Sequence, residues 1–166
     1  MIRIAPLPAP LSMLDPAVLI ATGLGSGRLY PAPGTWGSLA AWIIGLGCLM
    51  TDDGKAILIL AFFAACAFGW WAIEHIEDKT GDHDQGMIVI DEWAGLWLTM
   101  LLTGSHPLQI FLSLALFRLF DIWKPWPIGW LDKHVHGPAG VIIDDIVAGL
   151  FAAVCVGLVG LLWIHP

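Results

Sequence analysis

At 166 residues the chain has room for one domain, and its 58% hydrophobic residues, 13% charged residues and mean hydropathy of +0.80 leave more apolar surface than a water-soluble domain can bury. Seven Lys and Arg without a basic run, set against a net charge of −7, exclude a nucleic-acid footprint. The composition predicts a chain whose solvent is largely a bilayer.

The N-terminal stretch Met1 to Leu14 holds Arg3 and several prolines but no continuous apolar run or small-residue cleavage site, so it is not expected to act as a signal peptide. Next comes Thr22-Gly-Leu-Gly-Ser-Gly-Arg28, followed by Ala32-Pro-Gly-Thr-Trp-Gly-Ser38. Glycines let backbone N–H groups line a concavity, and a helix N-terminus beyond them attracts anions, so this region is a candidate phosphate cradle or a re-entrant loop. It is neither a Walker A motif nor a dinucleotide fingerprint, because no G-K-[ST] closes it and no strand precedes it.

Five apolar stretches follow, Trp36 to Met50, Ala56 to Ile73, Met87 to Leu102, Pro107 to Phe120 and Val141 to Ile164. None alternates as barrel strands do, so helices are expected, and an all-α, polytopic membrane bundle of about five helices results, several of them short. Trp36, Trp70, Trp71, Trp123, Trp126, Trp130 and Trp163 fall near segment ends, as in an aromatic belt. Cys48, Cys66 and Cys155 lie inside apolar stretches without ligand spacing and read as small hydrophobes. Arg3, Arg28, Lys79, Arg118, Lys124 and Lys133 occupy one set of flanks and Lys55 alone the other, which predicts a cytoplasmic N-terminus and an outer C-terminus.

That topology puts Asp91 and Glu92 about one turn into the third span, Asp121 at the end of the fourth, and Asp144 and Asp145 about one turn into the fifth. At a rise of ~1.5 Å per residue, all five lie within roughly 6 to 8 Å of one membrane level. Stripes of small residues, Gly37/Ala41/Gly45, Asp91/Gly95/Thr99 and Asp145/Gly149/Ala153/Gly157, share helix faces and turn the acids into the bundle. A carboxylate facing lipid costs at least about 2.5 kcal/mol, so acids at this depth mark a site. Held together they call for a cation, and hard oxygen ligands suit Mg²⁺.

Arg118 and Asp121 are three apart on one helical face with Lys124 just beyond, two cations suited to a phosphate ester; the bland alternative is snorkelling at the interface. His83, Asp84, His134 and His136 are loop residues able to ligate, shuttle protons or simply be solvated. Metal-assisted hydrolysis is the reading these residues favour. A transporter or channel passing cations or protons through the carboxylates is the rival, and would spread its acids over several depths. A scaffold packed through glycine stripes would leave the acids unexplained.

Four blocks carry a family resemblance. They are Thr22-Gly-x-Gly-Ser-Gly with Pro33-Gly-Thr35 and Gly37-Ser-Leu39; His83-Asp84-x-Gly86-x-Ile88-Val89-x-Asp91-Glu92; Phe117-Arg118-x-x-Asp121-x-Trp123-Lys124-Pro125-Trp126-Pro127; and Val135-His136-Gly137 leading to Ile143-Asp144-Asp145-Ile146-Val147-Ala148-Gly149. Through them the chain resembles the phosphatidylglycerophosphatase A family over most of residues 22 to 153. The resemblance implies one all-α domain over 1–166 and a Mg²⁺-dependent lipid phosphatase of the bacterial inner membrane, its site facing the cytoplasm. Such an enzyme converts phosphatidylglycerophosphate to phosphatidylglycerol and inorganic phosphate, in phosphatidylglycerol and cardiolipin synthesis. Placed on these residues, the expected metal and catalytic set is Asp91, Glu92, Asp121, Asp144 and Asp145. The expected substrate contacts are Arg118, Lys124, Gly34, Thr35, Gly37, Ser38 and His136.

Overall fold

The computed structural model describes residues 1–81 and 85–164, with side chains through residue 162. His83 and Asp84 lie outside the described residues. The described chain is 73% helical. Its α-helices are α1 (Pro16–Ala21), α2 (Pro33–Leu49), α3 (Gly54–Thr80), α4 (Ile90–Leu102), α5 (Pro107–Trp123), α6 (Ile128–His134) and α7 (Gly137–Val159), the last continued by a π-turn over Gly160–Ile164. Two-residue strands, β1 (Arg3–Ile4) and β2 (Leu29–Tyr30), pair antiparallel and tie the N-terminus down, with the Arg3 guanidinium 4.6 Å from the centre of the Tyr30 ring.

All five expected spans are helices, with two short helices added. α1 is capped by Asp15, whose side chain accepts from Ala17 N, and has Pro at its first position, the arrangement that starts a helix with little propensity of its own. It packs on the far end of α3, where Asp15 accepts from His75 at 3.0 Å and from Lys79 at 2.7 Å. The Lys79 hydrogen bond, then that of His75, hold the Asp15 carboxyl well below the usual carboxylate range. α6 begins where Pro125 and Pro127 prevent α5 from continuing.

Four helix starts differ from expectation, α2 and α3 beginning a few residues early at Pro33 and Gly54, and the other two move the acids. α4 begins at Ile90 rather than Met87, because Val89 N donates to Ala21 O at 2.8 Å and keeps residues 87–89 out of the helix. Asp91 and Glu92 therefore sit in the first turn, against the positive end of the helix dipole. α7 begins at Gly137, which takes φ +67° ahead of Pro138, so Asp144 and Asp145 lie two turns in rather than one.

The short α4 is the central element, with nine of its thirteen residues buried among α2, α3, α5 and α7. Glycine sets the closest approach. A Cβ on Gly95 would strike Asp145 O and the Phe117 ring, and one on Gly149 would strike Gly95 O, so the α4 and α7 backbones touch. Thr99 Oγ1 seals the contact, 3.0 Å from both Gly95 O and Gly149 O. Two indoles, Trp97 buried and Trp42 partly so, brace the opposite wall, Trp97 Nε1 donating to Ala41 O and Trp42 Nε1 to Ile110 O, both at 2.8 Å.

α3 and the run Gly137–Leu162 are each long and apolar enough to cross a membrane. Their most hydrophobic windows are only 28% and 39% buried, so these helices are not the sequestered core of the molecule. Ile59, Leu60, Phe63 and Phe68 on α3, Phe111 and Leu119 on α5, and Val154 and Leu158 on α7 point outward.

Candidate active site

At one end of the bundle the start of α4, the end of α5, α6 and α7 converge, and two cations organise the acids there. Arg118, near the end of α5, donates to Glu92 Oε1 at 3.2 Å, to Asp121 Oδ2, and to Ser38 Oγ at 3.4 Å. Ser38 in turn donates to Gly34 O at 2.8 Å. Gly34 and Gly37 are what admit Glu92 to this place: a Cβ on either would meet its carboxylate. Glu92 thus lies against the N-terminal turn of α2, where the dipole favours an anion.

Lys124 caps α5 in the left-handed region, φ +46°, which swings its side chain back over the bundle. Its Nζ donates to Asp144 Oδ2 at 2.6 Å and to Asp132 Oδ1. Burial pulls the ammonium pKa down, but hydrogen bonds to Asp132 and Asp144 outweigh it and hold the group above the ordinary lysine range. Beside this pair opens a cavity of ≈ 570 Å³ lined by Asp91, Lys124, Asp132, His136 and Asp144, with Val135, Gly137, Gly140 and Val141 completing the wall.

Asp145 is buried between the two groups, near enough to Asp121, Asp91, Glu92 and Asp144 to feel each charge. Six carboxyl groups, Asp132 included, thus face two cations. Among the described residues, no three carboxylates or imidazoles close around a common point as they stand. Yet Asp91 Oδ1 and Glu92 Oε2 are buried with no hydrogen-bond partner. Orphaned anionic oxygens in a low-dielectric layer are costly, and a hard divalent cation is the partner that suits them. The donor set therefore fits Mg²⁺ through Asp91 and Glu92, with Asp145 adjacent.

Of the expected substrate contacts, Arg118, Gly34, Gly37 and Ser38 meet at Glu92, while Lys124 and His136 line the cavity. Thr35 is exposed, and its N–H donates to Ala32 O. The glycine-rich Thr22–Arg28 turn is no phosphate cradle, because the N–H groups of residues 22 through 28 all bond within the segment and α1. A Cβ on Gly27 would strike Met87 O, so the turn packs on the entrance to α4 instead. Asp132 carries no signal in a sequence whose residues 121–140 read as a connection; its spacing of eight from Lys124 acquires meaning only once α6 folds back.

The family model described as phosphatidylglycerophosphatase A matches residues 19–160. The chain belongs to the phosphatidylglycerophosphatase A family. It is 39% identical over 154 residues to phosphatidylglycerophosphatase A of Escherichia coli (strain K12), covering 92% of this chain and 88% of that one. It is 40% identical over 148 residues to the Haemophilus influenzae protein of the same name, covering 88% and 90%. A Bacteroides thetaiotaomicron relative, provisionally named a phosphatidylinositol-3-phosphatase, is 33% identical over 147 residues, covering 85% and 91%. No solved structure matches. As a member of this family the protein is a phosphatase, and the matched residues take in every element of the acidic end.

Proposed function

We propose that this phosphatase is a multi-pass protein of the bacterial cytoplasmic membrane that hydrolyses phosphatidylglycerophosphate to phosphatidylglycerol and inorganic phosphate in a Mg²⁺-dependent reaction serving phospholipid synthesis. The substrate follows the name shared by two relatives near 40% identity. The membrane reading is supported by two apolar, largely unburied helices and by the six-to-one distribution of basic residues. The observation that carries the chemistry is the pair of buried, unpartnered oxygens on Asp91 and Glu92, beside Asp145 and within reach of Arg118.

Asp91 and Glu92 would hold the metal beside Asp145, with Asp121 and Asp144 as charged neighbours already engaged by Arg118 and Lys124. Bound there, Mg²⁺ would supply charge neutralisation and a water of lowered pKa. Arg118 and Lys124 neutralise phosphoryl oxygens as negative charge accumulates, which requires each to exchange a carboxylate for the substrate. A carboxylate not held by a cation accepts the proton of the attacking water. Asp145, buried and free of any ion pair with the two cations, is best placed for that role.

Phosphate release from phosphatidylglycerophosphate by the purified protein tests this reading. Release is expected to vanish with EDTA, return with Mg²⁺, and fall at least about a hundredfold in Asp145→Asn. Undiminished release in EDTA would remove the metal from the proposal, and no release under any condition would remove the substrate.

A further inference from the structure

The cavity beside Lys124 shares an edge with a feature that the chemistry above leaves unused. Trp123, Trp126 and Trp130 fall within eight residues around the α5–α6 corner and are 69%, 81% and 51% exposed. Indoles in such number are rarely left in water, and their apolar body with one N–H donor suits the boundary between headgroups and acyl chains. Below them Leu119 and Ile122 on α5 continue the outward apolar face, and Ile143 does so on α7. The corner borders the cavity: Lys124, which lines it, lies between Trp123 and Trp126, and α6 carries Trp130 outward and Asp132 into the wall, the rest of which comes from the starts of α4 and α7. An apolar flank, a ring of interfacial indoles and a polar, cation-bearing recess therefore follow one another across a single edge.

That order matches a glycerophospholipid read from acyl chain to headgroup. We infer that the α5–α6 corner is the lateral entry for the lipid, with Trp126 and Trp130 as positioning residues that seat the mouth of the cavity at the boundary between headgroups and acyl chains, so that a phosphomonoester embedded in a bilayer reaches Lys124. The inference rests on the lipid-phosphatase reading but concerns the route, which can be read without turnover. The corner serves substrates embedded in a bilayer and is dispensable for a phosphomonoester arriving from water. Trp70 and Trp71 on α3 are similarly exposed, at 46% and 44%, but lie on a helix that contributes no residue to the cavity wall, and supply the control.

Native protein, Trp126→Ala/Trp130→Ala and Trp70→Ala/Trp71→Ala are reconstituted in phosphatidylglycerol vesicles, and phosphate release is followed as the mole fraction of phosphatidylglycerophosphate varies. The corner variant should show KM raised about tenfold with kcat kept within twofold, and the α3 variant should match the native protein. On water-soluble dihexanoyl phosphatidylglycerophosphate the corner variant should keep kcat/KM within twofold of native. Equal impairment of both variants would mean general anchoring, and an unimpaired corner variant would mean entry elsewhere; either overturns the inference. Independently of activity, a phosphatidylglycerophosphate probe carrying a diazirine next to the ester carbonyl should label residues 119–130 and 141–143 above all others. Labelling concentrated on α3, or cross-links from the corner to a second copy of the chain, would overturn it even in a preparation that releases no phosphate. In that case the silent assay counts against the phosphatase reading and the labelling pattern alone decides the route.

Discussion

Arg118 is the residue on which the acidic end turns, since one guanidinium nitrogen serves carboxylates from α4 and α5 and a hydroxyl from α2. Removing it leaves buried Glu92 without a counter-charge, a change that costs about 3–5 kcal/mol when a buried pair is broken. Arg118→Ala is accordingly predicted to lower stability by that order in thermal unfolding and to cut kcat/KM at least a hundredfold. Arg118→Lys should recover most of the stability but little activity, because an ammonium spends its three donors on the protein partners and lacks the further N–H groups with which a guanidinium can also reach a phosphoryl oxygen. Asp15 offers the complementary test away from the acidic end. Its carboxyl is held low in the folded state, so its stabilising effect is present above the unfolded value of about 4 and is lost as pH falls from there. The stability difference between native and Asp15→Asn, measured by denaturant titration, should hold constant from pH 5 upward and shrink toward pH 3. These two residues also separate what sequence discloses from what it hides. Arg118 and Asp121 were legible because three residues of helix bring them together, whereas Asp15 meets Lys79 across 64 residues and only through the docking of α1.

At the scale of elements, the contact between α4 and α7 decides whether the acids meet. Gly95→Ala and Gly149→Ala force a methyl into a facing backbone, and overpacking of this kind costs about 1–3 kcal/mol. Both are predicted to lose stability by that amount and activity more than tenfold, because Asp91 and Glu92 on one helix are pushed from Asp145 on the other. Gly157→Ala, with no atom within 4 Å of the added methyl, should instead be neutral or gain up to about 1 kcal/mol from helix propensity. The small-residue stripes announced this packing, since spacing of four on a helix is a local property. The starts of α4 and α7 were not legible to the residue: Val89 is drawn out of α4 by Ala21 O, a bond from a distant turn, and α7 gains its extra turn from the Gly137-Pro138 start. α6 was missed for a related reason. Seven residues carry too little periodicity to register, and what folds them back is Lys124, at positive φ, reaching Asp132.

For the molecule as a whole, the composition that pointed to a bilayer corresponds to a structure with a buried polar end and apolar flanks on α3, α5 and α7. A single cysteine placed at Asp52 or Ser105, in a background lacking Cys48, Cys66 and Cys155, should react with an impermeant maleimide added outside intact cells. One at Lys133 should react only after permeabilisation; the reverse pattern would invert the topology. The clustering of acids was foreseeable from topology and helical rise alone. Their division into an Arg118 group and a Lys124 group, with two orphaned oxygens between, depends on side-chain geometry that no spacing encodes. A divalent cation shared by those orphaned oxygens would be visible in anomalous scattering from crystals grown with Mn²⁺: a peak bounded by Asp91, Glu92 and Asp145 that disappears in Asp91→Asn is expected, and a peak elsewhere, or density in which these three side chains enclose no ion, would show that the oxygens do not share one.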